Sequence, residues 1–310
     1  MENSFGQKEK VLETVGLSKK YGDMYAVKDV NMHIEKGDIY GFVGENGAGK
    51  TTVIRLITGL AAPTEGTFYL FGEEKDKALR NRRVAGIVES VSLNKSMTAL
   101  ENLKYQCYIC GLKKTDAELN EALGSVGLDP LAVSKRKVRN FSLGMRQRLG
   151  LASVIIRDPE FVLLDEPMNG LDPQGFIEMR ETIKRLNEGG MTFLISSHIL
   201  TELDRICNRI GFISGGSLVE ETSVEELHRQ SGKKIIMGFA DAESAASAGS
   251  KLSNYPFAPS ITLESDKLTI DGEQDVNQVI AAVVREEIRL TLFTEKDITL
   301  EDYYFEKVRR

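Results

Sequence analysis

Gly44-Glu45-Asn46-Gly47-Ala48-Gly49-Lys50-Thr51-Thr52 decides how the rest of this 310-residue chain is read. The stretch fits the spacing G-x-x-x-x-G-K-[ST] at every position, and its flanks fit as well. Ile39-Tyr40-Gly41-Phe42-Val43 before it has the unbroken apolar character of a buried strand, and Val53-Ile54-Arg55-Leu56-Ile57 after it continues as a helix. Glycines let successive backbone N–H groups turn inward around phosphate oxygens, and the helix N-terminus adds further donors and the positive end of its dipole. Lys50 is then placed to reach the outer phosphates, and the Thr51 hydroxyl to ligate the magnesium ion that travels with them. The expected ligand is a nucleoside triphosphate with Mg2+, held by Gly44, Glu45, Asn46, Gly47, Ala48, Gly49, Lys50, Thr51 and Thr52.

The remaining composition narrows the class. The length is ample for a full core and points to two domains. A hydrophobic content of 41% and a charged content of 28% are ordinary for a globular protein. The formal charge of −6 argues against a sequence-independent grip on nucleic acid, which relies on a surplus of Lys and Arg. No apolar run approaches the length that spans a bilayer, and the first ten residues lack the apolar stretch of a signal peptide, so a cytoplasmic protein is expected. Three cysteines are too few for a disulfide framework. Cys107 and Cys110 form a C-x-x-C within a helical stretch with no second pair, and both are expected at buried helix positions.

Strand and helix patterns alternate along the chain. Val11 to Leu17 and Tyr25 to Glu35 read as strands, and Thr67 to Phe71 as a short third one. From Thr98 to about Arg157 the pattern is helical. Phe161-Val162-Leu163-Leu164 is a strand buried on both faces, Pro173 opens a helix that Gly189-Gly190 ends, Phe193-Leu194-Ile195 is the next buried strand, and Ile199 to Asn208 the next helix. This order implies an α/β fold, a parallel sheet packed with helices and carrying a helical insertion. Near Ser231-Gly232 the character changes. The tail reads as strand (235–239), helix (241–253), strands (261–264 and 268–270), helix (276–285) and strand (289–293), a βαββαβ unit of ferredoxin-like type with a last helix from about Thr299 or Leu300. It carries no cluster of catalytic residue types, and a docking or dimerising module is the expected role.

Asp165-Glu166 ends the strand that begins at Phe161. Asp165 is placed to hold magnesium, and Glu166, one residue on, to polarise an attacking water as a general base. A GTPase would carry Asn-Lys-x-Asp for guanine, and the chain has none.

With these residues in hand, the chain resembles the nucleotide-binding subunit of an ATP-binding cassette (ABC) transporter over about residues 11–228. Phe141-Ser142-Leu143-Gly144-Met145 stands where that family has its Leu-Ser-Gly-Gly-Gln signature. Asn169-Gly170-Leu171-Asp172 resembles its D-loop, Ser196-Ser197-His198 its switch histidine, and Tyr21 its adenine-stacking aromatic residue. The resemblance implies a P-loop NTPase fold: a RecA-like core with an antiparallel β subdomain and a helical insertion at about 90–158, together forming a domain of residues 1–230. A small α+β domain of residues 231–310 follows. It further implies an ATPase in which Lys50, Glu166 and His198 are catalytic. Thr51, Asp165 and Glu89 would face magnesium, and Ser142 and Gly144 would reach the γ-phosphate held by a second subunit. Two ATP molecules would lie head to tail in a dimer, either of two copies or with a related cassette, bound to a separate membrane permease on the inner face of the cell membrane.

Two departures stand out. Glu89 replaces the glutamine usual at that loop, and Leu143 and Met145 replace a signature glycine and glutamine. Glu89 with Phe-Ser-Leu-Gly-Met and the stretch Met97-Thr98-Ala99-Leu100-Glu101-Asn102-Leu103 resembles the branch that exports bacitracin-type peptides and confers lantibiotic immunity. The expected function is therefore to drive export of a peptide antibiotic or other hydrophobic compound, with Glu89 and residues of about 90–110 docking to the permease. The alternatives are a soluble cassette ATPase acting on ribosomes, which usually carries two cassettes per chain, one acting on chromosomes, which needs a long coiled coil, and a regulatory cassette.

Overall fold

The computed structural model describes residues 9–74, 83–89, 92–231, 233–272, 274–297 and 303. The chain divides into two units, Met1–Ser223 and Val224–Arg310.

The first unit opens with β1 (Lys10–Tyr21), β2 (Met24–Val30) and β3 (His33–Glu35), followed by β4 (Ile39–Val43), α1 (Lys50–Thr58), β5 (Glu65–Leu70), β6 (Glu73–Glu74) and β7 (Val84–Ile87). A helical stretch follows: α2 (Ala99–Cys110), α3 (Asp116–Ser125), α4 (Pro130–Val133), a 3-10 turn at Val138–Asn140 and α5 (Leu143–Ile155). The unit closes with β8 (Phe161–Asp165), α6 (Pro173–Glu188), β9 (Thr192–Ser197), α7 (Leu200–Asp204), β10 (Arg209–Ser214) and β11 (Ser217–Ser223). Two sheets result. One is antiparallel, in the order β2-β1-β5-β6 with β3 also on β1, and the other is six-stranded, in the order β11-β10-β4-β9-β8-β7. All pairs of the second sheet are parallel except β10 with β11.

Burial explains this sheet. Every residue of β4 and β8 is buried, as strands covered on both faces require, and their apolar runs supply the side chains. Phe42, Val53, Ile54, Phe161, Leu163 and Leu194 share one core with Leu12, Leu17 and Phe68 of the antiparallel sheet. Because β4, β9 and β8 are neighbours running in parallel, their C-terminal ends come together. Open parallel sheets bind ligands at those ends.

The insertion holds its helices by local signals. Thr98 and Thr115 each form a complete capping box, with Glu101 and Glu118, at the starts of α2 and α3. The same bonds hold the carboxyls of Glu101 and Glu118 below their ordinary range. Asp172 caps α6, with Pro173 at its first position.

The second unit contains α8 (Val224–Ser231), β12 (Lys233–Gly238), α9 (Ala242–Leu252), β13 (Ile261–Glu264), β14 (Lys267–Asp271), α10 (Val276–Arg285) and β15 (Leu292–Asp297). Its four strands form a wholly antiparallel sheet in the order β13-β14-β12-β15. Ile235, Met237, Leu268 and Ile270 pack with Ala245, Leu252, Val279 and Val283 in a core of its own.

Several boundaries differ from the sequence reading. The single strand expected over 25–35 is two, β2 and β3, with Asn31 and Met32 between them outside either strand. The helix expected over 199–208 covers only Leu200–Asp204. The strand expected at 289–293 lies at Leu292–Asp297, because Glu287 turns left-handed after α10 and a loop intervenes. Cys107 is buried as expected, but Cys110 is exposed. The two compact units divide between Ser223 and Val224, ahead of α8. The helix expected from Thr299 or Leu300 lies outside the described residues.

Candidate active site

The loop between β4 and α1 is shaped by glycines that nothing else could replace. A Cβ on Gly44 would stand 2.4 Å from the Ile213 carbonyl oxygen. Gly49 has φ 109°, and a Cβ there would meet the Ala26 carbonyl oxygen at 2.6 Å. Gly49 is also the N-cap of α1 and carries no side chain to cap it, so the first turn of the helix opens toward the loop. A pocket of ≈ 190 Å³ lies there, lined by Ala26, Asn46, Gly47, Gly49, Lys50, Thr51, Thr52 and Glu166. Gly44 and Ala48 are buried beneath the loop, and Glu45 is exposed.

Lys50, the first residue of α1, is 5% exposed. Its Nζ donates to the carbonyl oxygens of Gly44 at 2.7 Å and Glu45 at 3.1 Å, and it stands 3.4 Å from the Glu166 carboxylate. The Thr51 hydroxyl donates to Asp165 Oδ2 at 2.8 Å. Ser196 Oγ, on β9, donates to the other oxygen, Asp165 Oδ1, at 2.6 Å. Glu166 and His198 meet at 2.8 Å, Glu166 Oε2 to His198 Nδ1. Adjacent strands thus bring the phosphate loop, Asp165-Glu166 and Ser196 to His198 into one polar constellation of direct contacts, in which Lys50, Thr51 and Glu166 line the pocket, Asp165 bonds Thr51 and His198 bonds Glu166.

Four residues of the sequence-derived set stand apart from it. Tyr21 ends β1, half exposed, with the Lys19 ammonium 5.1 Å above its ring. Glu89 is exposed, left-handed at φ 63°, and ion-paired with Arg55 of α1. Arg55 lies one turn along α1 from Thr51 on the same face, so the pair holds Glu89 a turn beyond the Thr51–Asp165 contact. Ser142 caps α5 by accepting from the Met145 N–H at 3.2 Å. Gly144 packs close to Leu171 and Gly175, where a Cβ would lie 3.6 Å from Leu171 Cδ2. Neither Ser142 nor Gly144 lines the pocket at Lys50.

Sequence reading missed Ser196 as a site residue. The only signal was a hydroxyl at the end of a buried strand, two places before His198. It also missed Arg148, which joins α5 to α6 through Glu178 at 2.8 Å.

This geometry defines a class: a nucleoside triphosphate site of the phosphate-loop type, built at the C-terminal ends of three adjacent parallel strands. The family model for ABC transporters matches residues 27–169, from β2 to the turn after Glu166. The chain is 37% identical to the bacitracin transport ATP-binding protein BcrA of Enterococcus faecalis, over 302 residues and 96% of each protein. It is 42% identical to BcrA of Bacillus licheniformis over 76% of this chain and 77% of that one. To the lantibiotic transport ATP-binding protein SrtF of Streptococcus pyogenes it is 40% identical over 68% of this chain and 90% of that one. The dimeric structure of the bacterial ABC transporter cassette MJ0796 superimposes with a TM-score of 0.62 at 25% identity, covering 69% of this chain and 98% of that one. The chain belongs to the ATP-binding subunits of ABC transporters, a family of ATPases that hydrolyse ATP to drive transport. Among the described residues no helix is long and apolar enough to cross a membrane.

Proposed function

We propose that this chain powers a separate membrane permease that exports a peptide antibiotic or a similar hydrophobic compound, and that it works as a pair of cassettes sandwiching two ATP molecules. One observation carries the paired arrangement. The phosphate loop, Asp165-Glu166 and His198 converge, while the signature residues Ser142 and Gly144 of the same chain lie outside that pocket. A second subunit's signature would complete each site, with the Ser142 hydroxyl and the N–H groups at the start of α5 turned to the γ-phosphate.

The residues suit ATP with magnesium. A hydroxyl and a carboxylate, Thr51 and Asp165, are the hard oxygen donors that Mg2+ prefers, and they already face one another at 2.8 Å. Together they would hold the ion, which neutralises phosphate charge as the bond to the γ-phosphoryl group breaks. Lys50 clamps the outer phosphates. Glu166 takes a proton from the attacking water, and His198, bonded to its other oxygen, orients that carboxylate and sits by the γ-phosphate. Glu89 would have to leave Arg55 to help hold the ion, and its pair with Arg55 ties this loop to α1, a coupling point between nucleotide and insertion.

Docking to the permease falls to the insertion. Tyr105, Tyr108 and Ile109 form an exposed apolar stripe on α2, opposite the buried Leu103 and Cys107, with Tyr108 84% exposed. Positions 90 and 91 of the expected docking segment lie outside the described residues. Similarity to BcrA along 96% of the chain supports peptide-antibiotic export, and a peripheral place on the inner membrane face follows from the permease. The chain's two parts are taken as the nucleotide-binding domain, 1–230, and a ferredoxin-like accessory domain, 231–310.

Capture tests this. The Glu166→Gln form is tagged, expressed in its own cells, and purified from gently solubilised membranes with magnesium and ATP. A stoichiometric polytopic membrane protein is expected to accompany it. Ribosomes, or the cassette alone, would contradict the transporter reading.

A further inference from the structure

Glu166 is a non-glycine residue in the left-handed region, at φ 48°. Such a conformation is strained and persists only where surrounding bonds impose it. Those bonds come mainly from one residue. The Glu166 N–H points at Ser196, reaching its Oγ at 2.9 Å and its carbonyl oxygen at 3.2 Å. Ser196 is fully buried on β9, paired directly with Asp165 across the parallel ladder. Its single hydroxyl proton goes to Asp165 Oδ1 at 2.6 Å, which leaves the Oγ lone pairs facing the Glu166 N–H. The other Asp165 oxygen is held by Thr51. A chain of bonds therefore runs from the phosphate loop through Asp165 and Ser196 to the backbone of Glu166. The carboxylate of Glu166 then leaves that fixed backbone toward Lys50 and His198.

We propose that Ser196 is a positioning residue for hydrolysis: its Oγ, anchored on Asp165, clamps the left-handed backbone of Glu166 and so aims the Glu166 carboxylate at the water it activates. The inference rests on the reading of this pocket as an ATPase site with Glu166 as its base. Its side-chain contacts are to Asp165 and the Glu166 backbone, so Ser196 acts through Glu166. Loss of the hydroxyl leaves the Glu166 N–H with only its longer bond to the carbonyl and leaves a buried Asp165 oxygen without its donor. A carboxylate free to swing by an ångström loses its near-attack geometry, whereas ATP binding through Lys50 and the loop N–H groups is untouched.

Steady-state kinetics on the full-length chain test the proposal. Ser196→Ala is expected to lower kcat by ten- to a hundredfold while KM for ATP, and ATP affinity measured calorimetrically without magnesium, stay within about threefold. Ser196→Thr, which restores the hydroxyl, is expected to recover kcat to within about fivefold. Ser196→Cys keeps the shape with weaker bonds and is expected to lose several-fold, which keeps the test alive if the alanine form does not fold. The combination with Glu166→Gln is the sharpest arm. If Ser196 acts through Glu166, Ser196→Ala should slow the Glu166→Gln enzyme no further. Wild-type kcat in either the alanine or the cysteine form overturns the proposal, and so does a rate loss that adds in full to that of Glu166→Gln. Unimpaired hydrolysis by Lys50→Ala would instead overturn the reading of this pocket as the ATPase site, whatever Ser196 does.

Discussion

Lys50 spreads its ammonium donors over the carbonyl oxygens of Gly44 and Glu45 and toward the carboxylate of Glu166, all within a largely buried site. A buried cation so placed is the loop's main attraction for a polyanion. Truncating one partner of a buried charge pair costs about 2–5 kcal/mol, so Lys50→Ala should weaken ATP binding by roughly thirtyfold to several thousandfold. Titration calorimetry reads this directly, and unchanged affinity would remove the phosphate-loop assignment. The role proposed for Glu166 is in chemistry rather than binding. Glu166→Gln keeps its size and polarity but loses the base, so kcat should fall about a hundred- to ten-thousandfold at near-normal ATP affinity. Normal turnover would take Glu166 out of the mechanism. At this scale the motif residues were legible because a phosphate loop and a strand-ending acid pair each do their work within a few consecutive positions. Ser196 was not. Its partners are 31 and 30 residues away, and only the β8–β9 register makes them neighbours. The partner of Glu89 was hidden for the same reason, since Arg55 is 34 residues distant.

Among the elements, those with strong periodic or continuous apolar patterns were readable: β4, β8, β9, α1 and α6 all stand where their residues place them. Misread boundaries cluster where a short local break decides. Asn31 and Met32 divide an apparently continuous strand into β2 and β3, a break that no periodicity announces. Glu287 likewise delays β15. The loop carrying Glu89 belongs to this scale, because it leads from β7 toward the insertion and is tethered to α1 by Arg55. A partly exposed ion pair of this kind contributes little to stability. Glu89→Gln should therefore leave the basal ATPase rate of the isolated chain within about twofold while altering how far the permease stimulates it. Assays with and without the reconstituted permease separate the two effects, and complete loss of basal hydrolysis would show that the carboxylate does more than couple.

For the molecule as a whole, two cores mean two cooperative units. Phe42, Ile54 and Phe161 close the first and Ile235, Leu268 and Val279 the second. Removing residues 232–310 should leave a chain that melts cooperatively and binds ATP with unchanged affinity; a product without a cooperative transition would refute the independence of the first unit. The sequence changes character at Ser231-Gly232, while by contacts α8 groups with the second unit, from Val224 onward. The pairing of cassettes is the central claim, and it rests on the proposal that a second chain's signature completes each site. The most direct measurement is the mass of the Glu166→Gln chain by light scattering, with and without ATP and magnesium, beside the same chain carrying Ser142→Arg. The account predicts a monomer that becomes a dimer only with ATP, and a Ser142→Arg form that binds ATP yet stays monomeric. A chain that remains monomeric with ATP, or a dimer indifferent to Ser142→Arg, would contradict it.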